Sequence, residues 1–158
     1  MRSDAMTAPE SQRHTVARDI KASAETIYRA FLSRDAMASW LPPAGARGVI
    51  DVFESKEGGR FRLVLVFEAT RGKSSDNTDV VAGCFVELVP DRRMVMAVDF
   101  DSDDPAFAGT MTMTWVLDAL PDGTRVTITA EHVPVGISQA GHETGMRSTL
   151  DNLAAFVE

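Results

Sequence analysis

The tightest restriction on this chain lies near its end. Gly136 to Val157 (GISQAGHETGMRSTLDNLAAFV) is a long run with no proline and a helical apolar period. Met146, Leu150, Leu153 and Val157 follow the +4, +3, +4 spacing of one helix face, and one turn earlier the same stripe reaches His142. Ser138 is placed to cap the amino end. A helix of about 20 residues is roughly 30 Å long, comparable to the width of a small domain. It needs a broad apolar surface to lie on, so the residues before it must supply a sheet. Gly141 and Gly145 each cost about 1 kcal/mol against alanine inside a helix. Spaced four apart, they bare one ridge. Two readings stay open: a strand packs tightly against that ridge, or bare backbone with His142 and Met146 roofs a ligand cavity.

The preceding residues have the period of strands. Arg13 to Ile20 alternates, with His14, Val16, Arg18 and Ile20 on one side. Ser23 then opens a helix with Ile27, Tyr28, Ala30, Phe31 and Leu32 on its apolar face. Ser33 caps a second short helix that ends before Pro42-Pro43. Six further strands are expected near 48–54, 60–68, 80–89, 92–100, 109–118 and 123–132. Lys56 to Gly59, Pro90-Asp91 and Pro121 to Gly123 supply turns, and 70–79 and 101–108 form longer polar loops. In the last two strands Met111, Met113, Trp115 and Leu117 oppose threonines, and Val126, Ile128, Ala130 and His132 share one side. One buried and one wet face suit an antiparallel sheet covered by a helix. The fold class expected is α+β: a strongly curved, seven-stranded antiparallel sheet around the carboxyl-terminal helix, with two short helices after the first strand.

At 158 residues the chain suits one domain, 13–158, after a disordered tail over residues 1–12. No run approaches the 18 or so apolar residues of a membrane span and no secretory pattern opens the chain, so the expected compartment is the cytoplasm, with no membrane partner. A net charge of −7 without a basic stripe argues against nucleic acid. The three histidines are far apart in sequence, no Cys/His spacing resembles a zinc site, and no phosphate-binding glycine loop is present; no metal and no cofactor are expected. Cys84 sits in an apolar run, as a buried inert thiol would. A twofold homodimer is the default assembly.

Several local motifs carry a family resemblance. Ile20 to Phe31 (IKASAETIYRAF) passes from strand end to helix. Trp40-Leu41-Pro42-Pro43 gives a tryptophan-proline step, and Gly58-Gly59-Arg60-Phe61 a hairpin. Gly83 to Pro90 (GCFVELVP) and Glu143 to Met146 followed by Leu150 to Leu153 complete the set. From about residue 13 to the end, this order resembles the helix-grip fold of the START/Bet v 1-like superfamily, in its branch related to the carboxyl-terminal domain of the Hsp90 ATPase activator. Met146 stands where that branch commonly has tryptophan, and Leu41 where a second tryptophan or glycine is common. The resemblance implies three functions: binding of a small hydrophobic molecule, acid/base catalysis as in cyclase or hydrolase-like relatives, or co-chaperone-like protein interaction.

The residues themselves favour the first. Met94, Met96, Met111, Met113 and Met146 are expected to face Trp40, Phe61, Phe100 and Trp115, an adaptable thioether and aromatic lining suited to a small hydrophobic or aromatic ligand. The alternative is a filled core in which methionines plug gaps. His132 is expected inward at its strand end, near His142, as general base, as a polar fix for the ligand, or as a satisfied rim residue. His14, next to the tail, is expected as a surface or edge residue rather than a ligand. Asp99, Asp101, Asp103 and Asp104 read as a solvated rim, and no nucleophile elbow is present.

Overall fold

The computed structural model describes residues 12–67 and 77–158. Residues 1–11 of the expected tail, and the expected 70–79 loop as far as residue 76, lie outside them. The elements are β1 (Gln12–Ile20), α1 (Ala24–Phe31), α2 (Arg34–Trp40), β2 (Ala46–Phe53), β3 (Arg60–Phe67), β4 (Thr78–Val89), β5 (Arg93–Phe100), a 3-10 turn (Pro105–Phe107), β6 (Met111–Leu120), β7 (Gly123–Val133) and α3 (Gln139–Val157). Serine starts each α-helix: Ser23, Ser33 and Ser138 accept from the main-chain N–H of Thr26, Ala36 and Gly141.

Seven antiparallel strands form one sheet in the order β1-β7-β6-β5-β4-β3-β2, so the first strand closes beside the last. Three bulges give it curvature. Pairing slips at Asp51 of β2, Val86 of β4 and His132 of β7, and each extra residue turns outward and is exposed. The concave face carries Met94, Met96, Val98, Met111, Trp115, Leu117, Val126 and Ile128, all buried.

The interior is filled at one end only. Phe31, Trp40 and Trp115 meet with ring centroids 4.7 to 5.6 Å apart, within the range of favourable aromatic pairs. The Trp40 indole N–H donates to the Ala30 carbonyl at 3.1 Å. α3 packs on β1, α1 and α2 and stands away from the middle strands. Its buried stripe is Met146, Thr149, Leu150, Leu153 and Ala154. No helix among the described residues is long and apolar enough to cross a membrane. Cys84 is half-buried rather than buried, because it alternates with the inward Val81 and Phe85.

Candidate functional site

Between the concave sheet and α3 lies a cavity of about 480 Å³, within the size range of small-molecule sites. Its wall joins Phe61, Leu63 and Leu65 of β3, Met96, Val98 and Phe100 of β5, and Met111, Met113 and Trp115 of β6. The roof is Gly141, His142, Gly145, Met146 and Thr149 of α3. Of the two readings of the glycine ridge, the geometry matches the roof. A Cβ built at Gly145 would meet nothing within 4 Å, and at Gly141 only the Ser138 capping oxygen at 2.9 Å. No strand presses on either.

Phe61, Met96, Phe100, Met111, Met113, Trp115, His142 and Met146 lie around one hollow. Trp40 and Met94 do not line it. Both are fully buried, Trp40 in the aromatic cluster and Met94 beneath the sheet's packed end. His132 is also excluded, which corrects the inward reading: it is the bulge residue, exposed, with φ 58°. Histidine enters the left-handed region more readily than most residues, and one extra residue reverses the side-chain phase. Val133 takes the inward place and is buried.

Two of the wall residues lay in segments read as loops, and a third at the head of the helical run. Asp79, the second residue of β4, is buried at 1% exposure and lines the cavity. Phe107 enters from the 3-10 turn, where Asp104 caps and Gly136 N–H donates to the Ala106 carbonyl at 2.7 Å. Ile137 closes the wall just ahead of the Ser138 cap of α3. Only Phe107 and Ile137 carried an apolar signal in the sequence. Among the described residues no group of three or more His, Cys, Asp or Glu side chains could hold a metal ion.

The polar feature of the roof is a histidine pair. His14 of β1 is 1% exposed, not at the surface, and its Nδ1 lies 2.8 Å from the Nδ1 of His142, with the rings edge to face. The strand phase that placed His14 beside Val16 and Ile20 was sufficient to bury it. Burial holds the His14 imidazole below its ordinary value, against an opposing pull from the Glu143 carboxylate. Glu143 is itself held below the usual carboxylate range, first by the Gln139 amide and then by the Thr15 N–H, Arg147 and His14, with desolvation opposing. Gln12 completes the group: its Nε2 donates to the Pro134 and Ile137 carbonyls, both at 2.9 Å, and its Oε1 lies 3.3 Å from His14 Nε2. The Trp115 indole N–H, at the floor, is buried with no hydrogen-bond partner among the described residues.

Comparison with known proteins identifies relatives of this arrangement. The sequence model described as "Activator of Hsp90 ATPase homolog 1-like protein" matches residues 21–158. A crystal structure of a Chromobacterium violaceum protein is similar at TM-score 0.81 and 30% identity, over 93% of this chain and 98% of that one. An Aeromonas hydrophila protein, described as AHSA1-like and solved in solution, has TM-score 0.70 and 17% identity, over 92% of each chain. A Rhodobacter sphaeroides crystal structure has TM-score 0.73 and 20% identity, over 94% of each; at that identity the likeness concerns the fold. No curated protein matches the sequence.

Proposed function

The chain belongs to the family of Activator of Hsp90 ATPase homolog 1-like proteins, with its helix-grip fold, and from that premise we propose that it binds a small hydrophobic or aromatic molecule between the curved sheet and α3. The observation that carries this reading is the cavity of about 480 Å³, walled by aromatic and thioether side chains. An apolar hollow that stays empty forfeits the dispersion contacts of its lining, and a ligand of matching shape restores them. Interaction with a partner protein is the weaker reading, since it makes no use of this hollow. A thermal-shift screen against aromatic and lipid-like metabolites tests binding. A ligand at 100 times its Kd adds about 2.7 kcal/mol of stability. A broad library with no shift in the melt removes the reading.

The histidine pair in the roof supports a second reading, a cyclase- or hydrolase-like enzyme in which His142 acts as general base on a bound substrate. His142→Ala separates the two. Turnover lost with binding retained marks an enzyme.

A further inference from the structure

The two tryptophans of the aromatic cluster differ in how their indole N–H groups are met. Trp40 lies behind the cavity, and its N–H donates to the Ala30 carbonyl at 3.1 Å. Trp115 lines the cavity and is 1% exposed, and its N–H has no hydrogen-bond partner among the described residues. The neighbours of Trp115 are apolar. Phe31 and Trp40 stand edge to face against its ring, with centroids 4.7 and 5.6 Å away, and Met94 and Ile128 are its partners on the adjoining strands. None of these four side chains carries an oxygen, and the indole nitrogen of Trp40 only donates. Leaving a buried donor unmet is costly, and nearly all buried polar groups in native proteins have a partner. The cavity is where the Trp115 ring meets space that protein does not fill.

We infer that the cavity is specific for neutral, apolar ligands bearing a carbonyl oxygen, which accepts the Trp115 N–H while the hydrocarbon body rests on Phe61, Met96, Met111 and Met113. The inference rests on the ligand-binding reading and names the ligand class. Indole is a donor without an acceptor, so its complement on the ligand is an acceptor. A carboxylate would accept too, but an anion loses far more hydration than a ketone on entering an apolar wall. A hydroxyl brings a hydrogen that needs an acceptor of its own, and the four apolar neighbours of Trp115 supply none. A carbonyl meets the donor and adds no new demand. Trp115 is in this way the residue that sets specificity, and the methionines supply contact area.

The matched probes are 2-acetonaphthone and 2-isopropenylnaphthalene, which differ only in C=O against C=CH2, measured by titration calorimetry. The ratio of ketone to alkene affinity is expected to fall about tenfold or more in Trp115→Phe, as the loss of one buried hydrogen bond requires. Taking the ratio cancels the difference in hydrophobicity between the probes and any general loosening of the site in the variant. Proton–nitrogen NMR of the unaltered protein supplies a second readout, which stands even if the variant fails to fold. The chain has two tryptophans, so two indole signals are expected, and Trp40→Phe assigns them. The Trp115 N–H signal is expected to move downfield with the ketone and not with the alkene, while that of Trp40, already bonded to Ala30, holds its place. An affinity ratio unchanged in Trp115→Phe, an indole signal that responds alike to both probes, or binding of the alkene alone overturns the specificity and leaves the binding reading intact. Failure of both probes to bind removes both.

Discussion

The main-chain N–H of Lys21, just past β1, donates to the Glu158 carboxylate at the end of α3 over 3.0 Å. At the other end Thr15 N–H donates to Glu143 at 3.4 Å, and between them Arg18 meets Asp151 at 3.1 Å. Six strand residues from Thr15 to Lys21 span about 20 Å, and fifteen helix residues from Glu143 to Glu158 about 22 Å. The two lengths match, so the helix runs along the open edge of β1 and covers amides that an edge strand leaves unpaired. Fastened along that edge, α3 is held off the middle of the sheet. The cavity occupies the gap.

Acid should loosen this attachment in two stages. His14 is held below its ordinary value of 6.5 by burial, so on acidification the unfolded chain takes up a proton before the native one does. Its contribution is complete above 6.5 and declines as the pH falls below it. Glu143 is held below 4.5, so its contribution is present above that value and is lost as the pH falls through its lower native value. Melting temperatures from pH 8 to 4 should decline first below about 6.5, and His14→Phe should remove that first decline. An unchanged profile in the variant would show that His14 does not titrate with folding.

The glycines of sheet and helix should respond in opposite directions to a methyl group. At Gly145 the added Cβ meets open cavity, so Gly145→Ala gains about 1 kcal/mol of helix propensity and raises Tm by about 2–4 °C. At Gly83 the Cβ would lie 2.4 Å from the Ala97 carbonyl oxygen and 2.7 Å from Phe61. Gly83→Ala should therefore cost about 1–3 kcal/mol, as overpacking does. Urea unfolding of the two variants checks both signs.

Period carried the fold, and local conformation hid part of the site. The methionines of β5 and β6 and the stripe of α3 were legible, because apolar alternation and helical spacing follow from which face is buried. His132 was misplaced because a bulge needs only one residue with positive φ, and nothing adjacent to it in sequence announces the change. Asp79 was hidden by composition: it ends a polar stretch, yet pairing with Leu65 carries it into the wall. The partnership of His14 and His142 joins residues 128 positions apart, and no spacing rule within either element encodes it. Trp40 and Met94 share the chemistry of the lining and differ only in depth, which alternation cannot grade.

That difference in depth allows stability and binding to be separated. Trp40 sits behind the cavity, with its indole N–H on the Ala30 carbonyl. Trp40→Phe should lower stability by about 1–3 kcal/mol, through a lost buried hydrogen bond and a small void, and leave the affinity for an aromatic ligand found in the thermal-shift screen within about twofold. Gly145→Leu should do the reverse. Its side chain starts from open space in the roof, fills volume the ligand needs, and replaces a poor helix former with a good one. Affinity should fall at least about tenfold, a loss of 1.4 kcal/mol or more, while the melting temperature of the free protein holds or rises. Paired calorimetric titrations and thermal melts of the two variants read both quantities. Undiminished binding in Gly145→Leu would place the ligand somewhere other than beneath α3, because a leucine side chain at the roof takes space that an undisturbed guest in contact with Met146 would need.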